Sequence, residues 1–214
     1  MSNPDIKAVL FDFGGVVLSS PFEAFAAYER ANDLPDGVIR QLNATNPDTN
    51  AWAALERSEV DLAGFASLFE AEAAAAGHTV DARAVLDLLA GEVRPAMVAA
   101  LKAIKAAGIP LALLTNNFVI GDDPDATPRP EIIEVLALFD HVIESSVEGV
   151  RKPDPAAYRL VLDRLGVEAH QVVFLDDLGI NLKPAQALGM TTIKVVDPDD
   201  ALAELAAVLD LDLS

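Results

Sequence analysis

Cysteine is absent from the 214 residues, which excludes disulfide bonds and thiolate metal sites and fits a reducing cytoplasm. Aromatic residues make up only 6%. No apolar run approaches the roughly 18–20 residues that a membrane span needs. The start, Met1 to Lys7, has no basic segment followed by an apolar one, so it does not look like a signal peptide. We therefore expect a cytoplasmic protein without a membrane span.

Basic residues are also scarce, with 15 Lys and Arg against 34 Asp and Glu and a formal net charge of −19. Such a chain repels nucleic acid and anionic lipid, and no Lys/Arg cluster offers a local exception. We expect neither as a partner, and the sequence carries no signal for an oligomeric state. Anionic metabolites are repelled as well. A phosphorylated substrate would therefore require a metal ion and a well-placed lysine to reverse the local potential.

Five short apolar runs are spaced along the chain, and helix-period segments that stop at glycine lie between the later ones. The runs cover residues 7–11, 109–114, 141–143, 172–175 and 191–196. The main helical segments cover residues 95–107, 154–165 and 181–188. Strands that alternate with helices predict a doubly wound α/β fold around a parallel sheet.

Residues 19–92 break this alternation, because they contain Ala-rich helical patterns and no convincing strand. The helical patterns cover residues 22–30, 37–42, 51–58, 62–76 and 81–89. A crossover between parallel strands needs only about a dozen residues. We therefore predict a helical cap domain over 19–92, inserted into a core domain formed by 1–18 and 93–214.

Polar residues stand where the predicted strands end, at the edge of the sheet where open α/β folds bind ligands. They are Asp12, Thr115, Asn116, Asp176 and Asp177, with Lys152 one loop beyond the third strand. Close carboxylates repel each other unless a divalent cation lies between them. Asp12 and Asp177 would form such a site for Mg²⁺, and a free oxygen of Asp12 could attack phosphorus to give an aspartyl-phosphate.

The neighbouring residues suit the binding of a phosphate group. Gly14 and Gly15 would let backbone N–H groups approach it closely. Thr115 and Asn116 could donate hydrogen bonds, and Lys152 would supply a positive charge. Each feature also has an ordinary structural explanation, as a helix cap, a solvated turn or a helix entry. Their convergence on one sheet edge favours a site for a small phosphorylated metabolite.

Four segments carry a family resemblance. They are Asp12 to Val17, Leu113 to Asn117, Arg151 to Pro155 and Phe174 to Asn181. In sequence, order and spacing they resemble the four motifs of the haloacid dehalogenase-like hydrolases, and the helical insert resembles the cap of that family's first cap class. Residues 175–185 are most similar to the phosphatase-like amino-terminal domains of soluble epoxide hydrolase and of acyl-CoA dehydrogenase family member 10.

The resemblance implies a phosphatase with Mg²⁺ as its cofactor and a role for each motif residue. Those roles are nucleophile for Asp12, phosphate binding for Thr115 and Asn116, charge stabilisation for Lys152, metal binding for Asp177, indirect metal support for Asp176 and loop bracing for Asn181.

Gly14 departs from the family pattern, because the family's phosphatases usually carry an aspartate there as general acid and base. The backbone carbonyl of Gly14 could still reach the metal, but proton transfer is lost, and general acid–base catalysis contributes about 10²–10⁴-fold. His78 or a carboxylate of the Asp122–Asp125 loop could replace it, or the substrate could have a good leaving group.

Three other functions compete with this one. Without the acid, the chain could bind phosphorylated ligands with little or no turnover. Haloacid dehalogenation uses the same nucleophile without a metal, but the pair Asp176 and Asp177 would then repel Asp12. A response-regulator receiver domain also gathers Asp, Thr and Lys around Mg²⁺, but there the acidic pair comes first along the chain, so we set it aside.

Overall fold

Five short parallel strands form one sheet in the computed structural model, which describes residues 6–88, 91–116 and 129–213. The strand order is β3-β2-β1-β4-β5. The strands are β1 (Ala8–Phe11), β2 (Leu111–Thr115), β3 (His141–Glu144), β4 (Val172–Asp176) and β5 (Thr191–Lys194). All five predicted strands are present. Every residue of the three central strands β1, β2 and β4 is buried, as expected for a parallel sheet covered on both faces.

Helices cover both faces of the sheet, which confirms the doubly wound fold. The core helices are α6 (Pro95–Ala106), α7 (Pro130–Leu136), α8 (Ser145–Glu148), α9 (Pro155–Leu165), α10 (Gly179–Leu188) and α11 (Pro198–Leu209). One apolar cluster joins α6 and α11 to the sheet, and a second joins α9 and α10 to its other face. Within the described ranges, no helix is both long and apolar enough to cross a membrane.

The sequence interpretation missed α7, α8 and α11. Helix α11 had a readable start signal, since Asp197 caps it and Pro198 occupies its first turn. Its amides at positions 199 and 200 both hydrogen-bond the Asp197 carboxylate. Helix α8 has only four residues and no side-chain cap, so neither apolar periodicity nor a capping residue indicates it in the sequence.

Five helices lie between β1 and α6 and share an apolar cluster of their own. They are α1 (Phe22–Ala31), α2 (Val38–Ala44), α3 (Ala51–Glu56), α4 (Leu62–Ala75) and α5 (Ala82–Asp87). Trp52 packs against Phe65 and Phe69 with ring centroids 4.8 and 5.8 Å apart. A single antiparallel bridge, Leu18 to Val93, joins the two chain segments that flank these helices. The domain boundaries at 18/19 and 92/93 stay a prediction.

Candidate active site

The carboxyl ends of the central strands bring four charged side chains together. Asp12 directly follows β1, Asp176 ends β4 and Asp177 comes next. The Asp12 amide donates to the carbonyl of Leu175 at 2.9 Å, so the ends of these two strands are held in register. Lys152 comes from the loop between α8 and α9. Carboxylate oxygens of the three aspartates all lie within 4.8 Å of one another.

Lys152 is buried between two of these carboxylates. Its Nζ lies 2.7 Å from Oδ1 of Asp12 and 2.7 Å from Oδ2 of Asp176, and its side chain is 1% exposed. Burial alone would lower the pKa of Lys152, but the charges of Asp12 and Asp176 outweigh burial and hold that pKa above its ordinary value. The ammonium group is therefore charged and fixed in position.

One lysine does not balance three carboxylates. Burial, reinforced by the charges of Asp176 and Asp177, raises the pKa of Asp12 to about 8, although Lys152 opposes this shift. Burial and the charge of Asp176 raise the pKa of Asp177 to about 6. Holding negative charge at this place therefore costs free energy. A hard divalent cation would relieve that cost, and carboxylate oxygens are the ligands that Mg²⁺ prefers.

Asp176 is saturated by protein donors. Its Oδ1 accepts from the amide of Leu178 at 2.8 Å and from Nδ2 of Asn181 at 3.0 Å. Its Oδ2 accepts from Lys152 at 2.7 Å and from Nδ2 of Asn181 at 3.1 Å. The backbone carbonyl of Asn181 in turn accepts from the Tyr158 hydroxyl at 2.6 Å. Asp176 therefore has less capacity left for a further ligand than Asp12 and Asp177, and its bonds to Asn181 tie the end of β4 to α10.

Asn116 hydrogen-bonds the backbone of Lys152. Its Nδ2 donates to the Lys152 carbonyl and its Oδ1 accepts from the Lys152 amide, both at 2.9 Å. Both ends of its amide thus contact the lysine backbone, and a role of Asn116 in phosphate binding stays a prediction. Thr115, the buried last residue of β2, stands beside it at the same sheet edge.

Gly15 is required by the close approach of Asp177. It has a φ of 78°, in the left-handed region that favours glycine, and a Cβ at this position would overlap the Asp177 carboxylate. Gly14 differs, since a Cβ there would meet no atom within 4 Å. No atom of the described residues therefore fills the space beside Gly14, the position where the family's phosphatases usually carry an aspartate.

Gly15→Ala is expected to reduce the free energy of unfolding by about 1–3 kcal/mol and to weaken Mg²⁺ binding. The added methyl group must displace Asp177 and strains the backbone. Gly14→Ala is the matched control, because its φ of −69° and ψ of 131° suit any residue and the space is open. Urea unfolding and calorimetric Mg²⁺ titration would measure both effects. Equal losses in the two variants would contradict this view of Gly15.

Of the two proposed replacements for the missing acid, the structure describes only His78. His78 lines a cavity of about 330 Å³ whose walls are all residues of the 19–92 region, such as Leu42 and Glu72. No strand-end residue lines that cavity. The Asp122–Asp125 loop and Asn117 lie outside the described residues.

Sequence reasoning missed one acidic residue near the site. Glu56, the last residue of α3, has an oxygen 2.6 Å from Nε of Arg151, which directly precedes Lys152. Its carboxylate also experiences the charge of Lys152. No sequence signal pairs positions 56 and 151, because only folding of the helical insert over the sheet edge brings them together.

Residues 6–189 match the family model described as haloacid dehalogenase-like hydrolase. The chain is 35% identical over 212 residues to acyl-CoA dehydrogenase family member 10 of Mus musculus and 32% identical over 221 residues to bifunctional epoxide hydrolase 2 of Sus scrofa. Each match covers 97% of this chain but only 19% and 40% of those proteins. The chain thus spans well under half the length of these two relatives.

A shorter relative is similar along most of its length. The sesquiterpene phosphatase of Aspergillus oryzae is 26% identical over 194 residues, which cover 89% of this chain and 90% of that protein.

Two solved structures share the fold. A HAD-like family hydrolase from Porphyromonas gingivalis matches with a TM-score of 0.63 at 20% identity, over 94% of this chain and 97% of its own. A HAD family enzyme from Bacteroides thetaiotaomicron, in complex with magnesium and inorganic phosphate, matches with a TM-score of 0.55 at 20% identity, over 88% and 93%. With the family model covering most of the chain, this protein belongs to the haloacid dehalogenase-like hydrolase family.

Proposed function

We propose that this hydrolase is a Mg²⁺-dependent phosphatase that cleaves a small phosphorylated metabolite through an aspartyl-phosphate on Asp12. The observation that carries the proposal is the cluster of Asp12, Asp176 and Asp177 around a single buried lysine. Such a cluster has excess negative charge that a divalent cation relieves. The sesquiterpene phosphatase among its relatives supports the same reaction class.

Asp12 is placed to act as the nucleophile. Both of its contacts, from the Phe13 amide and from Lys152, fall on Oδ1 at 2.7 Å. Oδ2 is therefore the oxygen we assign to attack on phosphorus. The new bond from Asp12 to phosphorus forms as the ester P–O bond breaks, and the leaving alkoxide takes a proton from solvent water. A water molecule then attacks the phosphorus of the acyl phosphate, which frees the Asp12 carboxylate and releases inorganic phosphate.

The other groups of the site bind the phosphate group or hold the site residues in position. Lys152 supplies positive charge to the phosphoryl oxygens, and the Thr115 hydroxyl and the amides after Asp12 donate hydrogen bonds to them. Asp12, Asp177 and the Gly14 carbonyl would hold Mg²⁺, which supplies charge neutralisation for the approaching anion. Asp176, Asn116 and Asn181 keep these groups in place.

The test is hydrolysis of p-nitrophenyl phosphate with and without Mg²⁺. We expect turnover with Mg²⁺, loss of turnover in EDTA and recovery when excess Mg²⁺ is added back. Mg²⁺ should also raise the melting temperature, because a ligand that binds only the folded state stabilises it. A rate that is indifferent to EDTA would contradict the metal requirement. Chloride release from 2-chloropropionate in EDTA would instead support a dehalogenase.

Gly14 favours a second candidate, a protein that binds phosphorylated ligands with little turnover. No described side chain fills the space beside Gly14, so the general acid term of about 10²–10⁴-fold has no visible source there. Calorimetric binding of inorganic phosphate with Mg²⁺, in the absence of measurable hydrolysis, would support this candidate. Hydrolysis rates on aryl phosphates of different leaving-group pKa would distinguish the two candidates. The rate of an enzyme without a general acid depends steeply on the leaving-group pKa, whereas a binding protein hydrolyses none of them.

A further inference from the structure

An ion pair joins helix α3 to the loop that carries Lys152. Nε of Arg151 lies 2.6 Å from Oε2 of Glu56, and the two side chains are 16% and 13% exposed. These two atoms make no hydrogen bond, so charge attraction joins them. Arg151 also donates from Nη1 to the carbonyl of Pro47 at 2.9 Å. The Arg151 side chain therefore contacts two residues of the 19–92 region, Glu56 and Pro47.

The contact extends beyond this pair. The hydroxyl of Ser58, just after α3, donates to the carbonyl of Ser146 in α8 at 3.2 Å. Helix α3 thus rests on the segment between β3 and Lys152. The position of that segment depends on α3 as well as on the sheet.

Stability alone does not account for burying this charge pair. Burial raises the pKa of Glu56, while the charges of Arg151 and Lys152 oppose the shift. Buried ion pairs commonly contribute little net stability, because desolvation offsets their attraction. A role in fixing geometry is the better explanation.

Glu56 contacts the residue directly before Lys152. Arg151 is the covalent neighbour of Lys152, whose amide and carbonyl are also held by Asn116 at 2.9 Å each. From this we infer that Glu56 is a positioning residue, which acts through Arg151 to hold the ammonium of Lys152 at the reacting phosphoryl group. Its catalytic consequence rests on the proposed function, whereas its effect on Lys152 does not.

Loss of Glu56 is expected to lower kcat more than it raises KM. A displacement of about 1 Å in a catalytic group can reduce the rate by about 10²-fold. For Glu56→Ala we expect kcat on p-nitrophenyl phosphate to fall by about 10–100-fold, with KM changed by less than about threefold, since Asp177 can still hold Mg²⁺ and Thr115 can still donate to the phosphate. Glu56→Gln keeps the size of the side chain but removes its charge, so its kcat should lie between those of Glu56→Ala and the wild type.

Glu59→Gln is the matched control. It removes the carboxylate that pairs with Arg57 at 2.7 Å, three residues along the same segment, and the Glu59 side chain is 54% exposed. We expect its kcat and KM to equal those of the wild type.

A second readout is independent of turnover. The ¹³Cε signal of Lys152 in lysine-labelled protein, assigned by its loss in Lys152→Met, reports the surroundings of the ammonium at fixed pH. We expect the signal to move in Glu56→Ala and to stay in place in Glu59→Gln. If the wild type shows no hydrolysis but the signal moves, the phosphatase proposal fails and the positioning role stands. If Glu56→Ala matches Glu59→Gln in both readouts, the inference is overturned.

Discussion

Asp12→Asn is expected to reduce the Mg²⁺-dependent hydrolysis of p-nitrophenyl phosphate by about 10⁴-fold or more. The substitution keeps the size and shape of the side chain but replaces the nucleophilic oxygen with an amide that cannot form the acyl phosphate. It also removes a negative charge from the shared metal site. The rate at saturating substrate and Mg²⁺, compared with the wild type, measures the effect.

The fold should survive this change. Asp176 remains paired with Lys152 at 2.7 Å, and removing one of three crowded carboxylates relieves repulsion. We therefore expect the melting temperature in EDTA to be unchanged or higher than that of the wild type. Equal background rates in the variant and the wild type would show that Asp12 is not the nucleophile.

Lys152→Met is expected to reduce the free energy of unfolding by about 3–5 kcal/mol in EDTA. Methionine retains most of the apolar volume but leaves Asp12 and Asp176, both buried, without the cation between them. Mg²⁺ should restore part of this loss, because it neutralises the same carboxylates. Urea unfolding with EDTA and with Mg²⁺ would measure both quantities.

Lys105→Met provides the control for this substitution. Lys105 pairs with Asp140 at 3.4 Å, but both side chains are more than 40% exposed. An exposed ion pair contributes about 0–1 kcal/mol, so we expect a small loss that Mg²⁺ does not change. If Lys152→Met costs no more than Lys105→Met, the lysine does not hold the carboxylate cluster together.

The strand-end residues could be read from the sequence because the physics that places them is simple. A buried parallel strand needs a run of apolar residues, and its end is where polar residues first appear. Asp12 and Asp177 are 165 positions apart, yet β1 and β4 pair directly and their carboxylates converge. The family resemblance added what each of these residues would do.

Other features of the site could not be predicted from local sequence patterns. No local motif shows that both ends of the Asn116 amide hydrogen-bond the backbone of Lys152, 36 positions later. His78 was a plausible acid by residue type, but its place depends on how α2 and α4 pack together, and that packing puts it in a cavity of the helical region.

The sequence by itself determined the five strands, the helices other than α7, α8 and α11, and the acidic residues at the edge of the sheet, because apolar periodicity and strand-end polarity are local properties. Only the tertiary structure decided that Lys152 is shared by Asp12 and Asp176, that Gly15 makes room for Asp177, and that Glu56 reaches Arg151. These contacts depend on distances between segments far apart in the chain. Side-chain reach across such distances is set by packing, which no local pattern encodes.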